Sequence, residues 1–161
     1  MSLQDSVWKE AIETYFQEFM EFFFFEMAQD IDFEKGYEFL DKELESVTKD
    51  AKIGKRLADI LVKVYLKDGR EKWMLIHIEV QGYYEKDFGK RMFIYNYRIF
   101  DRYGKDVISL AILTDAVKSF RANKYERVYY GFELKFKFPV VKILDYKERM
   151  EEFEGSKNPF A

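Results

Sequence analysis

The sequence predicts a single domain in which helices flank a mixed central β-sheet. Some segments place apolar residues at three-to-four spacing, as amphipathic helices do, and others alternate apolar and polar residues, as half-buried strands do. The 161 residues favour one domain with a sizeable core. The predicted order is helix, helix, hairpin, helix, strand and further strands, a pattern that leaves α/β and α+β both open.

Two helices are predicted before the sheet. The first covers residues 4–28, and its apolar face is formed by Trp8, Ile12, Tyr15, Phe16, Phe19 and Phe23. The second covers about 35–49, and its apolar stripe is formed by Tyr37, Leu40, Leu44 and Val47. Glu43 lies beside that stripe. The helical part is therefore expected over about 4–49 and the core of the domain over about 56–146.

A β-hairpin is predicted next, with strands over about 57–66 and 71–80. A three-residue loop over 67–69 pairs odd-numbered residues with odd-numbered ones, and only that parity keeps both apolar faces intact. Under this register Asp59 lies opposite His77 and diagonal to Glu79. Two carboxylates are thereby predicted to converge at one end of the hairpin.

A helix and several strands are predicted after the hairpin. The helix covers about 87–103, and its inner face is formed by Phe88, Met92, Tyr95 and Ile99, with Arg91 adjoining. Residues 107–113 are almost wholly apolar, which is typical of a strand covered on both faces. A long alternating segment is expected to turn inward Tyr130, Phe132, Leu134, Phe136 and Phe138. After Pro139, residues 140–146 are expected to form another strand.

Composition restricts the chemistry and the location. The chain has no Cys and one His, which excludes disulfides, thiolate metal sites and most His- or Cys-based catalysis. A net charge of −3 argues against a strongly basic nucleic-acid coat, but an enzyme acting on nucleic acid needs only a local basic rim. The apolar run over 19–28 is too short to span a bilayer, and the N-terminus lacks a signal-peptide pattern. We therefore expect a soluble cytoplasmic protein.

Asp59 and Glu79 form the strongest candidate site. Carboxylates on adjacent strands suit a hard cation such as Mg²⁺, or Mn²⁺ in its place, with phosphate oxygens and water as the remaining ligands. The alternative is a structural ion pair between one of these carboxylates and Arg91 or Lys63. Alternation alone does not decide between the two.

Other polar residues surround this pair. Gln81 could orient a water or a phosphate oxygen. His77 is more typical of a hydrogen-bonded core residue than of a ligand, and we include it among the residues that bind phosphate or support the site. Arg91 and Tyr95 share one helix face and could reach a phosphate or simply anchor the helix. A phosphate-binding rim, or else a set of solvated helix faces, is formed by Lys52, Lys55, Arg56, Lys86, Lys90, Arg98 and Arg102.

Five ordered blocks resemble the PD-(D/E)XK nuclease superfamily, and most closely its bacterial recombination-promoting nuclease and transposase-like group. The blocks are "YEFLDKEL" (37–44), "RLADILVKVYLKDGREKWMLIHIEVQG" (56–82), "DFGKRMFIYNYRIFDRY" (87–103), "VISLAILTD" (107–115) and "NPFA" (158–161). An acidic residue followed by Glu-x-Gln would be a weak signal alone, whereas five blocks in order are fairly specific.

The resemblance implies an α/β core of helix, three strands, helix and strand, and Mg²⁺-dependent hydrolysis of DNA linked to recombination or mobile elements. It assigns Asp59 and Glu79 as metal ligands and the carbonyl of Val80 as a third oxygen. Gln81 occupies the place of the usual lysine, and Glu43 matches an acidic residue that some members add. Arg91 and Tyr95 match a helix position that faces the site.

The resemblance also implies a further helical region after residues 158–161, so we expect this chain to be either a truncated gene product or the core domain alone. Two other functions stay open. One is a catalytically inactive nuclease-fold remnant that binds DNA or protein, with a homodimer as one form it could take. The other is a structural protein whose carboxylates are ion-paired.

Overall fold

The structure, a computed structural model, describes residues 3–48, 59–68, 72–147 and 158–160. Its helices are α1 (Leu3–Thr14), α2 (Phe16–Phe23), α3 (Phe25–Asp30), α4 (Asp41–Thr48), α5 (Phe88–Tyr103) and α6 (Ile143–Lys147), with a 3₁₀ turn at Phe33–Lys35. Its strands are β1 (Tyr37–Phe39), β2 (Asp59–Tyr65), β3 (Trp73–Gln81), β4 (Val107–Leu113), β5 (Lys124–Tyr129), β6 (Phe132–Lys137) and β7 (Val140–Lys142).

The central sheet is mixed. Within the described ranges it has five strands in the order β1-β2-β3-β4-β7. The first three are antiparallel neighbours, whereas β4 runs parallel to β3 and β7 runs parallel to β4. Strands β5 and β6 form a separate two-stranded hairpin. The molecule is therefore α/β with helices flanking a mixed sheet, which confirms the predicted class at this level.

The two faces of the sheet are covered by different helices. Because side chains alternate along a strand, even-numbered residues such as Ile60 and Ile78 pack with α1–α3. Odd-numbered residues face α4 and α5, where Leu61 belongs to an apolar cluster with Leu44 and Ile99. The polar residues of β3 lie on this second face. They are therefore enclosed between the sheet and α5.

The prediction of one helix over 4–28 is wrong. The chain breaks at Tyr15 and at Phe24, which separate α1, α2 and α3. The four consecutive aromatics over 22–25 explain the second break, because a continuous helix would rotate each ring about 100° from the last. With the break, Phe23 and Phe24 pack against the core and Phe25 is left exposed.

None of the helices in the described ranges is long and apolar enough to cross a membrane.

The predicted helix over 35–49 is a strand followed by a shorter helix. Gly36 has a φ of 81°, a conformation that suits glycine and redirects the chain into β1. Phe39 then pairs with Val62 at the edge of the sheet. The Asp41 carboxylate at the start of α4 accepts a hydrogen bond of 3.0 Å from the Leu61 amide. This bond attaches α4 to β2.

The register of the β2–β3 hairpin differs from the prediction by two residues. Odd-numbered residues do pair with odd-numbered ones, but Asp59 lies opposite Glu79, and His77 lies opposite Leu61. The Leu66 amide donates to the Lys72 carbonyl, whereas the predicted loop over 67–69 would pair residue 66 with residue 70. A connection that is longer by two residues preserves the parity, and each residue of β2 then pairs with a residue of β3 two positions further along the chain. Residues 57 and 58, predicted to begin the first strand, lie outside the described residues.

The predictions for the second half are confirmed in part. Helix α5 and strand β4 match their predicted ranges, and α5 buries Phe88, Arg91, Met92, Tyr95 and Ile99. The inward orientation predicted for Tyr130 and Phe132 is wrong, since both are exposed at the tip of the β5–β6 hairpin. Strand β7 is also shorter than predicted, because α6 begins at Ile143.

Candidate functional site

The opposed carboxylates Asp59 and Glu79 form the centre of the site. Asp59 begins β2 and Glu79 lies near the end of β3, directly across the ladder. Residues paired in this way have Cβ atoms about 4.5–5.5 Å apart. Burial, repulsion from Glu79 and a hydrogen bond between the two carboxyl groups raise the pKa of Asp59 well above its ordinary value of 3.8. The pair therefore favours a bound proton or a cation.

Arg91 lies next to Glu79 on the α5 side. Its Nη2 atom is 3.0 Å from Glu79 Oε1 and 3.2 Å from both Gln81 Oε1 and Glu85 Oε2. The guanidinium is fully buried, and its Nε and Nη1 atoms have no hydrogen-bond partner among the described residues. Glu79 Oε1, although close to Nη2, also lacks a contact with hydrogen-bond geometry in that part of the chain. One guanidinium thus faces two carboxylates, so negative charge is in excess here, and hydrogen-bonding capacity remains unused among the described residues.

His77 connects Glu79 to the next strand. Its Nε2 atom is 3.4 Å from Glu79 Oε2, and its Nδ1 atom is 2.9 Å from Ser109 Oγ. Asn96 Nδ2 donates to the Val107 carbonyl at 3.0 Å, which fixes the amide orientation, and also donates to Ser109 Oγ at 3.1 Å. A carboxylate facing Nε2 requires a donor there. The arrangement therefore assigns the Nε2–H tautomer, with the Ser109 hydroxyl donating to Nδ1.

His77 is neutral at pH 7 and fully buried. Burial lowers its pKa from 6.5 to about 4, with a smaller lowering from Arg91, and the Asp59 carboxylate acts in the opposite direction. His77 is thus a buried side chain that is hydrogen-bonded to the neighbouring strand.

Gln81 and Val80 lie at the end of β3. The Gln81 amide is fully buried, and its nitrogen donates to the Tyr83 carbonyl at 2.8 Å while its oxygen accepts from Arg91. The Gln81 carbonyl accepts from the Thr114 amide and so points away from β2. Because carbonyl directions alternate along a strand, that of Val80 points to the side on which Asp59 lies. This direction fits the third oxygen ligand implied by the resemblance.

The structure places Tyr95 in the site and Glu43 outside it. The buried Tyr95 ring lies 6.0 Å from the His77 ring, centre to centre. Glu43 is exposed on α4 because its neighbour Leu44 takes the inward position, and within the described residues it forms no hydrogen bond or ion pair with Asp59 or Glu79. Its charge instead acts on Tyr103, whose pKa is raised by burial and then by Glu43.

The ion-pair alternative and the basic rim are resolved in part. Arg91 does pair with Glu79, whereas the Lys63 ammonium lies 4.4 Å from the centre of the Trp73 ring. Arg98 and Arg102 line a cavity of about 360 Å³ between α4 and α5. Lys86 and Lys90 are exposed. Three predicted rim residues lie outside the described residues, namely Lys52, Lys55 and Arg56.

The donor set fits a hard cation through two carboxylates and a carbonyl. Asp59, Glu79 and Val80 supply oxygens on adjacent strands, and the pKa of Asp59 is raised by burial and then by repulsion from Glu79, which a cation would offset. In the described part of the chain, no three His, Asp or Glu side chains are grouped as a metal site. Water and substrate oxygens would therefore supply the remaining ligands.

Sequence reasoning missed Ser109, Asn96 and Glu85. Ser109 had a usable signal, since it is the one polar residue in "VISLAIL" and pairs in register with His77. Asn96 follows Tyr95 on α5, a position that pattern alone assigns to the edge of the apolar stripe. Glu85 lies in the connection between β3 and α5, where periodicity gives no information.

Comparison with known proteins identifies no relative. No family model, no curated protein and no solved structure matches this chain at a significant level. What the fold and site define is an α/β domain with an opposed acidic pair, a buried arginine and a neutral, buried histidine between its sheet and one helix.

Proposed function

We propose that this chain is a metal-dependent DNA endonuclease of the PD-(D/E)XK type, acting in recombination or on mobile elements. The observation that carries the proposal is that Asp59 pairs with Glu79 across the two strands. Glu79 lies two residues before Gln81 and contacts Arg91. Strands β1, β2 and β3 are followed by α5 and β4. This order is compatible with the core that the resemblance implies, with α4 inserted between β1 and β2.

The proposed ligands of Mg²⁺ are Asp59, Glu79 and the carbonyl of Val80. When bound, the ion would lower the pKa of a coordinated water and offset charge on the phosphoryl oxygens. The two carboxylates tolerate their proximity best with a cation between them. Asp59 is half-buried and Glu79 is fully buried, so a substrate would approach the pair from the Asp59 side.

Arg91, Gln81 and His77 hold the site in place. Arg91 supplies the fixed positive charge that a glutamine in the lysine position lacks. Its Nε and Nη1 donors, which have no acceptor among the described residues, suit a water or a phosphate oxygen. Gln81 orients Arg91 through its amide oxygen. His77 orients Glu79 from the opposite side through Nε2–H. Each Glu79 oxygen therefore has a positioning contact that does not depend on the metal.

The inactive remnant remains a second candidate, and one observation favours it. Both ends of the Gln81 amide are engaged within the protein, and the Glu79 charge is already paired with Arg91. A site with these contacts can be stable without chemistry. In this version the chain keeps the nuclease fold as a DNA- or protein-binding module.

Calorimetric titration with Mn²⁺ tests the metal site. The wild type should bind Mn²⁺, and Asp59→Ala and Glu79→Ala should each lose that binding. Glu38→Ala is the matched control, since Glu38 is an exposed acidic residue on the edge strand β1. At a hundredfold excess over Kd, Mn²⁺ should stabilise the wild type by about 2.7 kcal/mol. Absent binding, or binding that both alanine variants retain, would reject the site.

A plasmid-nicking assay then separates the two candidates. The endonuclease predicts Mn²⁺- or Mg²⁺-dependent conversion of supercoiled DNA to open circles, lost in both alanine variants and kept in Glu38→Ala. Arg91→Lys should lower the rate with Mn²⁺ affinity largely kept, because lysine cannot reproduce the planar guanidinium. Mn²⁺ binding with no cleavage under any of these conditions would reject the endonuclease in favour of the binding module.

A further inference from the structure

The β5–β6 hairpin ends in an aromatic tip that the fold does not bury. Tyr129 pairs with Phe132, so the turn consists of Tyr130 and Gly131. Both turn residues have positive φ, 48° and 86°, as a two-residue type I′ turn requires. Tyr130 is fully exposed, and Tyr129 and Phe132 are 60% and 53% exposed. Three large rings are therefore presented to solvent at one point.

The turn residue Tyr130 is poorly suited to its backbone conformation. A bulky residue at positive φ is uncommon, whereas Asn and Gly adopt that conformation readily and dominate type I′ turns. Such outliers in the backbone concentrate at functional positions. The ring at position 130 is thus not explained by turn formation.

The hairpin carries a positive charge in an acidic chain. Residues 124–137 contain four basic and two acidic side chains, whereas the whole chain has a net charge of −3. Arg127 lies on the same face as Tyr129 and Phe132, and its guanidinium carbon is 5.7 Å from the centre of the Phe132 ring. The tip therefore combines exposed rings with a cation, a pairing that complements a polyanion with aromatic bases.

The base of the hairpin is held against α5, the helix that carries Arg91. The Tyr125 ring stacks on Phe93 of α5 at 5.4 Å, and Phe136 contacts the same ring at 5.6 Å. Gly89 allows the Lys124 carbonyl to press on the first turns of α5, where any Cβ would overlap it. The hairpin is thus anchored beside the helix turn that faces the acidic pair.

We infer that this tip, formed by Arg127, Tyr129, Tyr130 and Phe132, is a docking surface for DNA with unpaired bases. The rings stack on the bases, and Arg127 contacts a phosphate. The inference rests on the proposed function in that DNA is the polymer bound. It adds a second contact surface and a preference for single-stranded or unstacked segments.

Fluorescence anisotropy with a labelled single-stranded 20-mer in EDTA tests the inference. Tyr130→Asn should weaken binding at least about fivefold, while the Asn-Gly turn that it creates keeps the hairpin folded. Phe132→Ala should have a similar effect. Phe25→Ala is the matched control, because Phe25 is also 60% exposed but lies on α3, across the sheet. Unchanged affinity in both hairpin variants would overturn the inference.

Arg127→Gln tests the phosphate contact through salt dependence. Removing one phosphate contact should lower the slope of log affinity against log salt by about one. Lys35→Gln, an exposed cation in the 3₁₀ turn before β1, should leave the slope unchanged. An unchanged slope for Arg127→Gln would remove Arg127 from the surface.

Three further outcomes separate the alternatives. If the wild type binds duplex and single-stranded DNA with equal affinity, and Tyr130→Asn weakens both equally, the preference for unpaired bases would be overturned. If Tyr130→Asn abolishes self-association in gel filtration but leaves DNA affinity unchanged, the tip would bind a second copy of the chain and DNA would be overturned as its partner. Hairpin-dependent DNA binding without cleavage by the wild type would reject the endonuclease and support the tip. Tyr130→Asn should keep wild-type Mn²⁺ affinity, since the metal site is separate.

Discussion

Two ionic clusters in this molecule differ in how completely their hydrogen-bonding groups and charges have partners. At the end of β7, the Lys142 ammonium donates to Asp115 Oδ1 at 2.7 Å, to the Val117 carbonyl at 2.7 Å and to the Phe120 carbonyl at 3.0 Å. All three ammonium hydrogens are used. Around Glu79, by contrast, two carboxylates oppose each other and two nitrogens of Arg91 lack acceptors in the described part of the chain.

The difference indicates which cluster is structural. The Lys142 ammonium donates to three acceptors and so holds the segment between β4 and β7 in place. It has no hydrogen-bond donor left for a ligand. A cluster with repelling carboxylates and unused donors is costly in isolation, and such cost is typical of sites that bind an ion or a substrate. Burial alone does not distinguish the two, since Lys142 and Arg91 are both buried.

The largest effect is expected from Lys142→Met. The change leaves the Asp115 carboxylate buried without its cation, which typically costs 3–5 kcal/mol. Urea unfolding at pH 7 measures it. Arg121→Gln is the matched control, because Arg121 and Asp145 form a pair at 2.8 Å, close to the 2.7 Å of Lys142 and Asp115, but at about half exposure. That exposed pair should contribute about 0–1 kcal/mol. Equal losses in the two variants would contradict a structural role specific to Lys142.

Acid should destabilise the fold through His77. Its folded pKa of about 4 lies below the ordinary 6.5, so only the unfolded chain gains a proton between these values. Stability from this group is complete above pH 6.5 and is lost as the pH falls toward 4. At about 1.4 kcal/mol per pKa unit, the loss is roughly 3 kcal/mol.

Two measurements check the His77 prediction. The difference in unfolding free energy between the wild type and His77→Gln should shrink by that amount from pH 7 to pH 4, since the carboxylates are common to both. NMR offers a direct test because the chain has one histidine. Its imidazole should stay neutral at pH 5.5, as the Nε2–H tautomer. Titration near 6.5 would refute burial as the cause.

Ser109→Ala should have a smaller effect. The change leaves His77 Nδ1 without its donor, and an unsatisfied buried acceptor costs about 1–3 kcal/mol. Asn96 keeps its bond to the Val107 carbonyl, so the helix contact is only partly lost. Urea unfolding gives the energy, and Ser46→Ala on the exposed face of α4 is the control. No loss of stability would show that the hydroxyl does not support His77.

Much of the frame was predictable from periodicity, and the register was not. Helix α5 and strand β4 have strong, uniform patterns over their whole length, so their ranges match. The parity of β2 against β3 followed from burial of one face. The two-residue shift did not follow, because a longer loop preserves parity and leaves the same residues buried. Asp59 therefore meets Glu79, although His77 was the predicted neighbour.

The remaining errors have similar physical causes. Alternation in β5 and β6 predicts a ribbon with one apolar face but does not show whether the rest of the domain covers that face. The predicted inward position of Tyr130 is wrong for this reason. Glu43 is a site candidate through the resemblance alone, and its solvent-facing position follows from Leu44 packing beneath α4. The Ser109–His77 link joins residues on parallel strands far apart in sequence, and no local pattern reports it.

The smallest expected change in stability gives the clearest test of the difference between the Glu79 cluster and the Lys142 cluster. Asp59→Asn removes the charge that opposes Glu79, so without divalent cations it should raise the free energy of unfolding by about 1 kcal/mol at pH 8. The raised folded pKa means that the ionised carboxylate costs stability at high pH. The gain should therefore fade as the pH drops through that pKa and vanish near the ordinary 3.8. A carboxylate that served only as a structural ion-pair partner would give the opposite sign, because its loss would leave a cation unpaired. Urea unfolding at pH 8 and pH 4 in EDTA distinguishes a strained binding site from a second structural cluster like that of Lys142.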